Sequence, residues 1–224
     1  MSRVQPIVLV SDPAVAAMEA RECGEPLVRV VESPRLRVDQ RLADSGGLFR
    51  LVRSGISQRL TAASELIPEG MALALVEGYR PPSLQARYFE AYRSSLAASG
   101  GELDTAKLYH LAARAVAPPG PAAPHVSGGA VDVTLYGADG TELDMGSALN
   151  ATPEESRGAC YTEAAGLTKS ARHNRGLLVE ALSRAGFVNY PTEWWHWSYG
   201  DRYWALRTGA KFACYGPADP PRTS

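Results

Sequence analysis

Three of the four tryptophans in this chain of 224 residues stand at positions 194, 195 and 197, inside the stretch YPTEWWHWSYGDRY from Tyr190 to Tyr203. Indoles packed so densely in sequence carry more apolar surface than a solvated loop leaves in water, so this segment has to lie against a core. It also carries a carboxylate and an imidazole, Glu193 and His196. On a regular strand these two positions point to opposite faces, so one cavity receives both only if Glu193 lies in the turn made by Pro191 and Thr192. On this stretch alone His196 is either a half-buried neighbour of packed aromatics or a ligand. Matching donors elsewhere decide between the two.

The remaining chain reads as alternating helices and short strands. Asp12 and Pro13 cap a helix running to about Gly24, residues 25–47 show little regular pattern, and 48–66 place apolar residues at helical spacing, weakened by Gly55. The apolar run 71–78 is a buried strand that delivers Tyr79 and Arg80 to its end. Helices follow over 83–98 and 104–116, separated by Gly100 and Gly101, and the proline-rich passage 117–124 is a loop ending on His125. Residues 130–136 alternate as a strand, and an Asp139-Gly140 turn leads to a second strand through Leu143. Thr168 caps a helix closed by Gly186, and 187–190 and 194–199 are strands. This pattern predicts one α+β domain over 1–215, with 1–47 as an N-terminal elaboration and 216–224 as a flexible tail. Its centre is an antiparallel or mixed sheet flanked by helices, with site residues at strand ends.

A hydrophobic content of 45% and a formal net charge of -1 describe a globular protein with no electrostatic call for nucleic acid or an anionic membrane. The expected partner is a small molecule. Cys23, Cys160 and Cys214 are odd in number and lack metal or redox spacing, which points to free thiols or one disulfide and to a cytoplasmic protein. The apolar run at 6–10 is too short for a signal segment or a membrane span.

His125 and Asp132 supply the matching donors. Two histidines and a carboxylate are a common set for a zinc ion that keeps an open position, and a further carboxylate such as Glu193 suits a base. Gly128 and Gly129 let the chain bend between the first two donors. The spacing by itself is equally compatible with a plain loop leading into a strand.

The motifs EGYRPP, HVSGGAVDVTL, LDMGS and EWWH, in this order, resemble those of the D-alanyl-D-alanine dipeptidases of the vancomycin-resistance type, within the zinc D,D-peptidase family. The resemblance runs from about Leu48 to Trp204. It implies one zinc per chain bound by His125, Asp132 and His196, with Glu193 as catalytic base and Arg80 stabilising the tetrahedral intermediate. The alternative for Arg80 is a structural salt bridge with an acid such as Glu77. Two departures bear on substrate: Ala123 stands where the family has a serine that helps hold substrate, and Asn150 where it has an aspartate that pairs with the dipeptide ammonium. With Tyr79 and Trp195 these are the expected substrate-binding positions, packing being the alternative for Tyr79.

Three functions follow as expectations. The first is a zinc dipeptidase or related amidase acting on a D-Ala-D-Ala-type dipeptide. The others are a D,D-carboxypeptidase on a longer or N-blocked peptide and a zinc-binding module without catalysis.

Overall fold

The computed structural model describes residues 7–99 and 104–220. Its centre is the pair β4 (Ala72–Glu77) and β5 (Ala130–Tyr136), almost wholly buried, which explains why both read as nearly continuous apolar runs. They run antiparallel, and beyond Leu75↔Val133 the register shifts so that Glu77 faces Asp132. On the other side β7 (His196–Ser198) pairs antiparallel with β5, setting Asp132 opposite His196. The shifted register therefore brings Glu77, Asp132 and His196 into one row. The sheet is completed by β2 (Leu36–Val38), parallel to β4, and β6 (Val188–Asn189), antiparallel to β7, in the order β2-β4-β5-β7-β6.

Alternation along β5 sends Val131, Val133 and Leu135 into the main core, with Ile56, Leu60 and Ala63 of α2 (Ser54–Ser64) and Leu178, Ala181 and Leu182 of α5 (Lys169–Arg184). Asp132 consequently faces the opposite side of the sheet. Of the helices there, α3 (Pro82–Ser99) and α4 (Thr105–Ala112) share a smaller core around Phe89, Ala112 and Ala113. Side-chain caps start several helices: Asp104 accepts from Lys107 N at 2.7 Å, Thr168 from Ala171 N at 2.9 Å, and Asp201 from Trp204 N at 2.8 Å at the head of α6 (Arg202–Thr208). No helix among the described residues is long and apolar enough to cross a membrane.

Several elements depart from the sequence reading, in each case because a tertiary partner overrides local spacing. The N-terminal helix α1 (Pro13–Ala17) is capped by Asp12 but ends well short of Gly24, because the chain beyond it pairs with residues 213–214: Ala213 N donates to Glu19 O at 2.8 Å and Cys23 N to Cys214 O at 3.0 Å. Within 25–47 lie two strands, β1 (Leu27–Arg29) and β2. The helix expected over 48–66 begins only at Ser54, since Leu51–Arg53 forms β3, paired antiparallel with β1. Gly55 is no weak point there: its N–H donates to Glu25 Oε2 at 2.7 Å, and a Cβ would meet that same oxygen at 2.7 Å. The second strand after Asp139-Gly140 reduces to a bridge between Tyr136 and Glu142.

The break at Gly100-Gly101 and the tail residues 221–224 lie outside the described residues. Gly216 to Ala218, read from the sequence as tail, are packed: Ala218 N donates to Val126 O at 2.9 Å, and Tyr79 Oη donates to Ala218 O at 2.9 Å. Cys23, Cys160 and Cys214 are free thiols.

Candidate metal centre and active site

Each donor is positioned by a different local device. His125 lies in the 3-10 turn Pro124–Ser127, which Ser127 ties back by donating Oγ–H to Pro124 O at 2.6 Å. Gly128 follows with φ of +72°, and a Cβ there would stand 2.4 Å from Leu27 Cδ2, while one on Gly129 would stand 2.5 Å from Tyr199 O. Only glycines fit this return into β5. Asp132 and His196 come from the paired strands, and Glu193 lies between two tight turns, its N–H donating to Tyr190 O at 2.9 Å and its carbonyl accepting from His196 N at 3.2 Å. That is the turn geometry the Pro191-Thr192 spacing requires.

The three donors converge. His125 Nε2 and His196 Nδ1 are 3.1 Å apart, and Asp132 Oδ1 lies 3.3 Å from the first and 3.1 Å from the second. All three residues are buried. Tetrahedral zinc with bonds of about 2.0–2.1 Å needs ligand atoms roughly 3.3–3.4 Å from one another, so this triangle fits one face of such a site. The outer atoms of both rings are also held: His125 Nδ1 is 2.7 Å from Gly78 O, and His196 Nε2 is 3.5 Å from Ser198 Oγ. A bond to the carbonyl makes His125 Nδ1 the protonated nitrogen and leaves Nε2 as the ligand atom. Burial opposes ionisation of Asp132, but the two imidazoles outweigh it and hold the carboxyl well below the usual range.

Glu193 Oε2 is 4.0 Å from His196 Nδ1. Burial pushes its carboxyl up to about 7, His196 pulling the other way. Arg80 closes the other side, its NH2 3.9 Å from Asp132 Oδ2. Its Nε donates to Glu77 Oε1 at 2.8 Å, its NH2 to Glu77 Oε2, and its NH1 to Gln85 Oε1 at 2.9 Å. The salt bridge with Glu77 is thus present. A guanidinium has five N–H groups, so two remain beyond these three bonds.

These groups line a cavity of about 370 Å³. Asn150 is on its wall with a left-handed φ of +64°, which asparagine tolerates, and so is Trp195. Trp194 and Trp197 are behind the wall, their indole N–H groups donating to Ser147 Oγ at 3.0 Å and Trp194 O at 3.2 Å. Two expected substrate positions are not on the cavity wall. Tyr79 is turned away from Arg80 by the alternation of an extended chain and packs with Leu51 and Ala218. Ala123 is buried behind Pro124, which lines the cavity in its place. His110 and His173 are exposed and do not line the cavity.

Sequence reasoning missed Tyr88, Tyr92, Arg114, Thr152 and Val10 as lining residues. The four-residue interval between Tyr88 and Tyr92 was a usable signal for one helix face. Val10, 115 residues before His125, had none.

A sequence profile of the D-ala-D-ala dipeptidase family matches residues 49–214. A D-alanyl-D-alanine dipeptidase of Synechocystis sp. is 26% identical over 216 residues, covering 84% of this chain and 87% of the relative. Shorter stretches match D-alanyl-D-alanine dipeptidases of Enterococcus faecium, 38% identical over 74 residues, and of Escherichia coli, 35% identical over 72 residues. These cover 33% and 32% of this chain and 35% of either relative.

Proposed function

The chain belongs to the D-ala-D-ala dipeptidase family, and we propose that it is a zinc peptidase cleaving the amide bond of a small D-alanyl-D-alanine-type peptide. The observation that carries this reading is the buried triangle of His125, Asp132 and His196, with edges of 3.1–3.3 Å, beside a carboxylate on the wall of a cavity. Zinc held by His125, Asp132 and His196 would supply a Lewis acid for a water molecule and for the amide carbonyl.

The protein's own groups carry the proton and the charge. Glu193, within one water's reach of the donor triangle, takes the proton that water releases and delivers it to the leaving amine. In the metal-free chain burial raises this carboxyl, the direction that favours handing the proton on to the amine. The two N–H groups of Arg80 not engaged by Glu77 and Gln85 serve the carbonyl oxygen as negative charge develops on it. Glu77 holds the guanidinium in place, so the salt-bridge role and the catalytic role are complementary. Trp195 and Pro124 help keep the cavity dry, which strengthens both effects.

A second reading, a D,D-carboxypeptidase acting on an amine-blocked peptide, draws support from one observation. Among the described lining residues the only carboxylates are Asp132 and Glu193, both in the centre itself, and Asn150 is neutral. A substrate ammonium therefore meets no dedicated anion on this wall.

Turnover of D-Ala-D-Ala is to be compared with turnover of its N-acetylated analogue, using zinc-loaded wild type, Glu193→Ala and Asn150→Asp. Metal-dependent hydrolysis that disappears in Glu193→Ala supports the peptidase, and a gain on the free dipeptide in Asn150→Asp supports position 150 as the amine reader. No hydrolysis of either compound by the wild type would favour a binding module instead.

A further inference from the structure

Among the described residues, every one that lines the cavity but one lies between positions 80 and 196, inside the segment matched by the family profile. The exception is Val10. It is 8% exposed and belongs to a separate apolar cluster with Val15, Tyr190 and Tyr203, against which Val8, Leu9, Ala117, Val188 and Leu206 pack. Tyr190 and Ala117 also line the cavity, so one side of this cluster is core and the other is site wall.

The strap that carries Val10 is anchored. Asp12 N donates to Leu9 O at 2.9 Å, turning the chain into α1, and Val15 of that helix is fully buried. Arg202 of α6 donates to Ala16 O at 2.8 Å and also to Met18 O. Residues 19–23 then run beside 213–214. Val10 is therefore held against Tyr190, whose carbonyl accepts from Glu193 N at 2.9 Å and whose ring lies 5.8 Å from that of His196. This apolar wall is next to the reacting centre. Its chemistry suits an uncharged hydrocarbon side chain, since Val10, Val116 and Ala117 offer no charge and no side-chain polar atom.

We propose that Val10, brought in by the N-terminal strap, is a specificity-determining residue that limits the size of the apolar side chain on a substrate residue flanking the scissile bond. The inference rests on the peptidase reading above. Val10 touches substrate and takes no part in proton transfer, so changing it alters which side chain is preferred while Glu193 and Arg80 go on working.

The test is a dipeptide panel in D configuration, with alanine, 2-aminobutyrate, valine and leucine at each position in turn. Zinc-loaded wild type, Val10→Ala and Val10→Ile are compared, with metal content and thermal melting confirming that each variant is folded. Because one methylene in an apolar pocket is worth roughly 10- to 200-fold in discrimination, Val10→Ala should raise kcat/KM for larger side chains relative to alanine by about tenfold or more. Val10→Ile should lower the same ratio. Equal scaling of every dipeptide by both variants overturns the proposal and leaves the peptidase reading intact. If the wild type hydrolyses none of the panel, the peptidase reading fails and the inference is overturned with it.

Discussion

Replacing Arg80 with lysine keeps the positive charge and removes the fork. In the native site three of five N–H groups are bound, two by Glu77 and one by Gln85, which leaves the two that the proposed mechanism assigns to the substrate oxygen. Lysine has three donors on a single nitrogen, and that nitrogen cannot satisfy both oxygens of Glu77 and still face the reacting carbonyl. Loss of one such donor is worth about 2.7–4 kcal/mol, or roughly 10²–10³ in kcat. The interaction grows with charge in the transition state, so kcat should fall by that factor while KM changes by no more than about threefold. Stability should fall less than the about 3–5 kcal/mol of a broken buried pair, because Glu77, 2% exposed, keeps a cation beside it. Glu77→Gln is the complementary control: it loosens the guanidinium without removing its donors, so its loss in kcat should be the smaller one. Steady-state kinetics on D-Ala-D-Ala with zinc-loaded protein, together with urea melts, reads all of this. An Arg80→Lys enzyme with wild-type kcat, or one whose entire loss lies in KM, would refute the oxyanion role and leave the salt bridge with Glu77 as the residue's purpose.

Other consequences are independent of that one. Metal analysis should find one zinc per chain in the wild type and none in His125→Ala or His196→Ala, whereas Ser198→Ala, beside the outer nitrogen of His196, should weaken zinc affinity by roughly 10-fold or more; full loading of the histidine variants would dismiss the ligand assignment. Arg175 is 3% exposed and donates to the carbonyls of Met145, Tyr161, Thr162 and Ala159, and burial pushes it down to about 10. Since an orphaned buried acceptor costs about 1–3 kcal/mol, Arg175→Met should destabilise by at least about 3 kcal/mol in urea, with Arg175→Lys recovering only part. Asp201 is buried and its carboxyl is raised by that burial. A raised folded value means the native state holds its proton more tightly, so the associated stability is present at low pH and is lost as pH rises above the unfolded value of about 3.9. Asp201→Asn keeps the cap on Trp204 N, so in metal-free protein its melting temperature should exceed the wild type's at pH 7 and converge with it near pH 4; an equal difference at both pH values would count against the shift.

Much of the candidate site was legible in the sequence because its chemistry depends on residue type and order. Two imidazoles, one strand aspartate, a carboxylate after Pro191 and an arginine before Pro81 are individually ordinary, but in sequence they resemble one family's motifs, and the profile match supports that family. The strands 72–77 and 130–136 and the helix 169–184 were equally legible, since burial on both faces and a capped amphipathic period leave direct marks in sequence. Short elements left no such mark. A three-residue strand such as Leu51–Arg53 has too few positions to display a period, and only its partner Leu27–Arg29 makes it extended.

The sequence by itself determined which candidate donors the chain carries, the family that the order of its motifs resembles and the class of fold, because each follows from which side chains exist and in what order they come. The tertiary structure decided what surrounds them. It set the shifted register that brings Glu77 and its guanidinium to Asp132, and it turned Tyr79 and Ala123 away from the cavity. It also brought Val10 to the wall from a segment with no motif. The physical reason is that alternation and capping act within a few residues, whereas a cavity wall is assembled by packing between segments far apart in the chain, and no local pattern encodes which of them will meet.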